Sequence, residues 1–411
     1  MRNFTPVPLW RIVRDCSLRV QWKLAFNFAW RGRQAVLAFE RRLKAQRAGR
    51  PDARFFPAFT LFSLTNRCDL SCRGCWVSPT RPPRELSLER MKNAINACRR
   101  RNSRFFGLLG GEPLLYEALF PLMASFPDCY FQVFTNGQQL TGEIARRMAR
   151  LANVTPLVSI EGLTAESRRR RGGSPGDDIF GRAAEAVGRC REAGLFTGVA
   201  ASICRSNYDE LVSRSFIDLA AAKGAHYLWY YIYRPVGPKP EPENALSAEQ
   251  IAGLRRFLVD ERRAAPIFLI DAYWDHQGRA LCPAAIGLSH HIAPDGALEF
   301  CPPLQFAGEW LDADGTNLEA AMADSEFLAR LRAFTARRSR GCVLLEDPRA
   351  LGEFLRAGGA RDSSGRNATP EEWEARDSLP DHDMAGDALP EKNPLYAWAK
   401  KHYFFGFGAY G

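Results

Sequence analysis

Between residues 59 and 232 the chain alternates short apolar runs with amphipathic ones six times over. This constrains the fold more than any other feature. The apolar runs are read as strands near residues 59–64, 105–109, 130–134, 157–160, 197–203 and 227–232, and helices are expected to begin near Ser87, Leu114, Thr141, Ile179 and Asn207. Ser87 is followed three residues later by Arg90 rather than an acid, so it is a plain N-cap and not half of a capping box. Six βα repeats imply a parallel sheet joined by right-handed crossovers. Such a sheet curls into a full or partial barrel that keeps its chemistry at the carboxyl ends of its strands.

Cys68, Cys72 and Cys75 follow the first strand on that side, in a Cys-x3-Cys-x2-Cys run. Three thiolates so spaced can hold three irons of a [4Fe-4S] cube and leave the fourth iron without a protein ligand. A zinc site completed by a distant histidine, or three reduced core cysteines, are the alternatives. The second strand ends in Gly110, Gly111, Glu112 and Pro113. There the glycines let backbone approach a ligand and Glu112 can accept a hydrogen bond from an ammonium group, although a plain Gly-Gly turn has the same sequence.

In joint order and spacing, these two motifs resemble those of the radical SAM superfamily, and the resemblance covers residues 59–235. It implies an α/β fold: a partial (βα)6 radical SAM barrel with a small carboxyl-terminal auxiliary-cluster domain and an amino-terminal amphipathic helical segment. It also implies that Cys68, Cys72 and Cys75 hold a cluster whose open iron binds S-adenosyl-L-methionine. An electron from a donor such as flavodoxin or ferredoxin would then yield a 5′-deoxyadenosyl radical that abstracts hydrogen from substrate. On the same footing, Gly110, Gly111, Glu112 and Pro113 match the segment receiving the methionine amino group. Asn136, within Thr135-Asn136-Gly137, matches a turn near the cofactor. Ser159 falls near the ribose, in a segment where Glu161 replaces the usual aspartate. The run of arginines 168–171 lies where the family places an arginine against the cofactor carboxylate, and Arg171 is the choice made here. The residue before the third cysteine, often aromatic in the family, is Gly74, and Trp76 follows instead, to shield the cluster or to pack in the core.

Cys282, Gly296 and Cys301 resemble the opening of the auxiliary-cluster domain called SPASM, or of its shortened form called twitch. With Cys342 they support one second [4Fe-4S] cluster, with Asp347, His290 or His291 as candidate fourth ligands; two ordinary buried cysteines are the alternative. Cys16, Cys98, Cys129, Cys190 and Cys204 have no mutual spacing and are read as core residues. At the end of the sixth strand Tyr231 with Tyr233, or Tyr230 with Ile232, would face the barrel interior. Asp271, Tyr273, Asp275 and His276 are given structural roles.

The flanks differ in composition. Arg19, Lys23, Asn27 and Arg31 recur every fourth residue and form a narrow polar stripe on a helix whose remaining surface is apolar, so that helix is expected to be buried against protein rather than to enter a membrane interface. Beyond Asp347, loop or extended structure is expected, apart from a helical patch near residues 371–376, and the aromatic residues of 396–410 are expected to avoid water. The division is residues 1–50, 51–240 for the barrel, 241–346 for the auxiliary part and 347–411 for the tail. A net charge of +10 favours anionic partners without choosing among them, but the basic residues lack the pattern of a single-strand nucleic-acid binder. Without a secretory signal or a membrane-spanning run, a cytoplasmic enzyme with peripheral membrane contact at most is expected. In SPASM-like relatives the substrate is frequently a peptide or protein, and in others a lipid or small metabolite. The rival reading is a non-catalytic iron-sulfur or zinc protein for electron transfer or partner binding.

Overall fold

A computed structural model describes residues 7–49, 55–163, 170–172, 177–383 and 389–403. The expected strands are present as β1 (Phe59–Ser63), β2 (Phe105–Leu109), β3 (Tyr130–Thr135), β4 (Val154–Ser159), β5 (Gly198–Ile203) and β6 (Tyr227–Ile232). They lie side by side in chain order, all parallel. Helices cover one face and the barrel interior the other, so β1 is buried along its whole length and the strand sequences read as nearly unbroken apolar runs. The helix Leu88–Arg100 starts where Ser87 accepts the Arg90 N–H at 3.2 Å, and it buries Met91, Ala94, Ile95 and Cys98 at helical spacing. Thr141 and Asp178 cap the helices Gly142–Leu151 and Ile179–Glu192 in the same way. At Leu114 only one 3-10 turn forms, Pro113–Leu115, with the Glu112 side chain accepting the Leu114 N–H, and the helix proper is Leu119–Ser125.

The sheet continues past the six strands at both edges. β7 (Phe268–Ile270) joins β6 in parallel, and β8 (Ser289–Ile292) runs parallel to the outer edge of β1. β9 (Ala297–Glu299), β10 (Phe306–Trp310) and β11 (Arg361–Asp362) then extend it antiparallel, giving an open eleven-stranded sheet from β11 to β7. The fold is therefore α/β, a partial parallel barrel with a small antiparallel annex hydrogen-bonded onto its first strand.

Two expectations about the flanks are corrected. The segment beyond Asp347 holds the helices Pro348–Ala357 and Pro394–His402 besides the short Glu371–Glu374. Pro348 at the first helical position, Asp347 as cap and the buried Leu351 and Leu355 form the first of these, a pattern hidden among polar neighbours. The amino-terminal helix is turned the opposite way from that expected. In Leu18–Ala25 and the π-helical Phe26–Gly32 that continues it, the polar stripe faces the barrel: Asn27 is buried, Lys23 donates to the Pro127 carbonyl and Arg31 to that of Asp128, although Arg19 is exposed and the apolar Val20 and Leu24 are buried beside the stripe. Leu18, Trp22, Phe26 and Trp30 are left exposed, Trp22 to 76%. Of the aromatic tail, Trp398 is also exposed, while residues 404–411 lie outside the described residues. No helix among the described residues is long and apolar enough to cross a membrane.

Candidate functional site

The cysteine loop leaves β1 at the carboxyl end of the barrel, and three neighbouring segments fasten it there. The first is the turn after β2. Gly111 donates its N–H to the Thr65 carbonyl at 2.7 Å, and Glu112 donates its own to that of Arg67 at 2.8 Å. A Cβ on Gly111 would stand 2.2 Å from the Arg67 carbonyl oxygen, so only glycine lets the two turns lie this close. The Gly-Gly pair thus joins the two halves of the site.

The second fastening is the turn after β3. Glu112 is fully buried and burial pushes its carboxyl up to about 7, against the pull of its hydrogen bonds. One of its oxygens accepts from the Thr135 hydroxyl at 2.7 Å and the other from the Asn136 N–H at 2.7 Å. The Asn136 amide in turn donates to Asp69 at 2.6 Å, and Gln139 reaches the other Asp69 oxygen at 2.9 Å. Asp69, between the first two cysteines, is therefore the anchor by which β3 holds the loop.

The third is the segment Arg170–Gly172. The Arg73 N–H donates to the Arg170 carbonyl at 2.8 Å and the Ser71 hydroxyl to that of Gly172 at 3.0 Å. Gly172 has φ +61°, and a Cβ there would stand 2.1 Å from the Ser71 carbonyl oxygen. Arg170 and Arg171 flank the buried Glu161; its burial alone would raise the carboxyl, but the charges of Arg171 and Arg170 outweigh this and hold it below its usual value. Arg170 is spent on Glu161, on Cys204 at 3.0 Å and on the Tyr233 ring. Arg171 is engaged only in part: its Nη2 pairs with Glu161 at 3.3 Å and its Nη1 lies 3.6 Å from the Cys72 sulfur, while its Nε is buried without a hydrogen-bond partner. Arg168 and Arg169 lie outside the described residues.

Burial raises the Cys68 thiol to about 11 and the Cys75 thiol to about 12, and each is raised further by the neighbouring cysteine charges. Thiols so placed would be held as thiolates by a cation such as iron, and the partly unsatisfied Arg171 guanidinium suits a carboxylate. The residues present therefore fit both a cluster and the amino-acid end of S-adenosylmethionine. Ser159 closes β4 at the same end, half-buried. Gly110 shares a small crevice with Trp76, whose ring meets His291 edge-on at 5.8 Å. Pro113 is buried as the first residue of its 3-10 turn. Along β6 the alternation resolves in favour of Tyr231 and Tyr233: Tyr231 stacks on Trp229 at 5.4 Å, whereas Tyr230 is wholly buried and donates to the Leu211 carbonyl.

Cys282, Cys301 and Cys342 come together around a second crevice, across the β1–β8 junction, although 60 residues of chain separate the first from the last. Burial pushes the Cys282 thiol up to about 11 and that of Cys301 well up, and the three sulfurs repel one another further. Arg234, at the exit of β6, donates its Nε to the Cys342 sulfur at 3.0 Å, and Asp381 accepts the Cys342 N–H. The donor set fits a second cluster on three cysteines. The expected fourth ligands are all engaged elsewhere. Asp347 caps a helix and pairs with Arg338 at 2.7 Å; His290 uses both ring nitrogens, on the Phe300 carbonyl and on Arg332. His291 bridges the Ser63 hydroxyl at 2.8 Å and Glu299 at 2.5 Å. Of the three, His290 does line the crevice, and beside it stands His382, which the sequence does not single out: it sits in a polar loop with no spacing relation to the cysteines. Arg234 was likewise visible only as the residue after the tyrosine run. Cys16, Cys98, Cys129, Cys190 and Cys204 are buried core residues, as read. Asp271 belongs to a buried ionic cluster and Tyr273 accepts the Ile232 N–H, both structural.

A partial parallel barrel with a three-cysteine loop after β1, a glycine-bearing turn after β2 and a three-cysteine annex defines a class of iron-sulfur, S-adenosylmethionine-binding proteins. Comparison with known sequences gives the same reading for the core: residues 62–212 match the radical SAM superfamily. It is 29% identical over 291 residues to the sporulation killing factor maturation protein SkfB of Bacillus subtilis, covering 67% of this chain and 66% of SkfB. It is 32% identical over 173 residues to the mycofactocin maturase MftC of Mycolicibacterium smegmatis, covering 41% of this chain and 43% of MftC. Both matches span less than two thirds of the relative's length. Among solved structures, Streptococcus suis SuiB bound to S-adenosylmethionine superposes with a TM-score of 0.60 at 16% identity, over 74% of this chain and 72% of SuiB. The AdoMet-bound enzyme anSMEcpe superposes with a TM-score of 0.54 or below at similar identity and shares the fold.

Proposed function

We propose that the protein is a radical enzyme that cleaves S-adenosylmethionine reductively at a [4Fe-4S] cluster on Cys68, Cys72 and Cys75, and acts on a peptide substrate with the help of a second cluster on Cys282, Cys301 and Cys342. The observation that carries this reading is the buried Arg171 guanidinium, held by Glu161 with its Nη1 beside the Cys72 sulfur and its Nε without a hydrogen-bond partner, next to a cysteine loop locked to the Gly110–Pro113 turn. When bound, cluster and cofactor together supply a 5′-deoxyadenosyl radical able to take a hydrogen atom from a carbon centre.

The chain's own part is placement. Arg171 offers a fork to the cofactor carboxylate while Glu161 fixes its rotamer. The Gly110–Gly111 turn would receive the amino group, and Glu112 stiffens that turn through Thr135 and Asn136. Ser159 lies at the strand end where the ribose would sit, and the Trp229–Tyr231 stack closes the barrel beneath. Trp76 stands where the crevice beside Gly110 meets the annex residues His291 and Ala293.

A peptide substrate is supported by the maturation roles in the names of SkfB and MftC, and by the fold shared with SuiB, which has been seen bound to precursor peptide SuiA. A flavodoxin- or ferredoxin-type donor would deliver the electron, and the exposed aromatic helices at the amino terminus give peripheral contact with a membrane. Anaerobically reconstituted protein with S-adenosylmethionine and a strong reductant should form 5′-deoxyadenosine, and Cys72→Ala should form none. Iron-loaded wild type that forms none would instead identify an electron-transfer or partner-binding protein.

A further inference from the structure

The end of the barrel opposite the cysteine loop is hollow. A cavity of about 610 Å³ lies between the amino-terminal ends of the strands and the helices contributed by the two flanks of the chain. This is the size of a small-molecule site. Its strand side is aromatic, built from Phe105, Tyr130, Tyr227 and Trp229, and its helix side is built from Ile12, Leu24 and Phe28. The polar groups that reach it are taken up by one another. Gln132 donates to the Tyr227 hydroxyl at 3.0 Å, Tyr130 bonds Thr155, and Lys400 is spent on Asp271 and the Trp274 carbonyl. Such an interior rewards an aliphatic occupant and penalises a polar one.

The mouth carries the second half of the argument. Leu9, Val13 and Trp398 both line the cavity and stand exposed. The helix that walls it with Leu24 and Phe28 carries Leu18, Trp22, Phe26 and Trp30 along its outer side. Trp10, on the preceding helix Val7–Asp15, is 63% exposed. Residues 7–49 contain ten lysines and arginines against two acids, Asp15 and Glu40, so most of the net charge of +10 belongs to this segment. Tryptophan and phenylalanine beside arginine and lysine is the composition of a helix lying in a lipid interface, and the charge complements an anionic leaflet.

We propose that this end of the barrel docks on an anionic lipid surface and takes one aliphatic chain of a lipid into the cavity. The proposal does not depend on the chemistry at the other end: the surface and the cavity would serve an inactive protein equally well. Docked in this way, the cysteine loop points away from the membrane, toward a soluble donor and substrate.

The full-length, cluster-loaded protein should float with vesicles of 70% phosphatidylcholine and 30% phosphatidylglycerol and stay behind with pure phosphatidylcholine. Trp22→Glu combined with Trp30→Glu should weaken flotation at least tenfold while leaving iron content unchanged. The fluorescent fatty acid parinaric acid should bind the wild type, and Leu24→Trp or Gly32→Leu, which fill the cavity, should weaken that binding at least tenfold yet leave flotation intact. Using two filling variants guards against one that fails to fold. Absence of flotation on the anionic vesicles, or flotation undiminished in the double variant, overturns the docking. Probe binding unaffected by filling overturns the cavity as the site. If the probe enters only after residues 404–411 are deleted, the chain's own end is the occupant and the proposal falls.

Discussion

Replacing Gly111 by alanine should unfasten the two halves of the cofactor site without touching a cysteine. The new methyl would stand 2.2 Å from the Arg67 carbonyl oxygen and 2.5 Å from its carbon. Backbone, unlike a long side chain, cannot step aside. To reach van der Waals separation the two turns must part by roughly 1 Å. That stretches the Gly111–Thr65 and Glu112–Arg67 hydrogen bonds, now 2.7 and 2.8 Å. Each is worth about 1 kcal/mol net, and overpacking adds about 1–3 kcal/mol, for a loss of about 3–5 kcal/mol. Guanidinium unfolding monitored by circular dichroism measures the loss, iron per chain measures whether the first cluster still assembles, and 5′-deoxyadenosine measures whether the cofactor is still held. Gly188→Ala is the contrast: its Cβ meets nothing nearer than the Lys223 carbonyl at 3.9 Å, within the helix Ile179–Glu192, and it should stabilise by about 0.5–1 kcal/mol. The reasoning is refuted if Gly111→Ala unfolds within about 0.5 kcal/mol of wild type and loads and turns over normally, since the contact would then be elastic.

Three further outcomes are expected. Cys282→Ala and Cys342→Ala should each lower iron from about eight to about four per chain, as titrated after reconstitution; unchanged iron would remove the second cluster. Asp271→Asn should cost about 3–5 kcal/mol in urea unfolding, because Arg255, Arg262 and Lys400, all buried, would be left with Glu391 as their one remaining anion in that cluster. Burial lowers the His226 imidazole to about 4 from an unfolded value of 6.5, so the unfolded chain binds the extra proton between those values and stability contributed above pH 6.5 is lost as the pH falls through 4. The His226→Gln variant should therefore lose less stability than wild type between pH 7 and pH 4.5, the difference being at most about 3 kcal/mol; equal slopes would refute the assignment.

The barrel was legible because each of its strands carries an unbroken apolar run and its helices announce themselves with Ser87, Thr141 and Asp178 caps. The annex was not, because β8 reads Ser-His-His-Ile and its burial comes from pairing with β1, a contact 230 residues away in sequence. The candidate cysteines were marked by spacing in the first loop and by the Cys282–Gly296–Cys301 pattern in the annex, and the structure gathers each trio around its own end of the β1–β8 pair. The roles of Asp69, His382 and Arg234 were not marked: each owes its place to a partner on another element. The amino-terminal helix was misread for a physical reason. Periodicity reports which residues share a face but not which face meets the protein, and here Lys23 and Arg31 find backbone carbonyls on the barrel, with Asn27 buried between them, while the tryptophans stay exposed.

Because β8 is hydrogen-bonded along β1, the segments that carry the two sulfur sites are anchored to adjacent strands of a single sheet, locked further by the Ser63–His291 bond between those strands. Their separation is thus a matter of strand register, quantised in residues and indifferent to what the connecting loops do. A lineage could lengthen, shorten or reshape those loops to admit a different molecule without changing how far an electron, or a tethered substrate, has to travel between one site and the other.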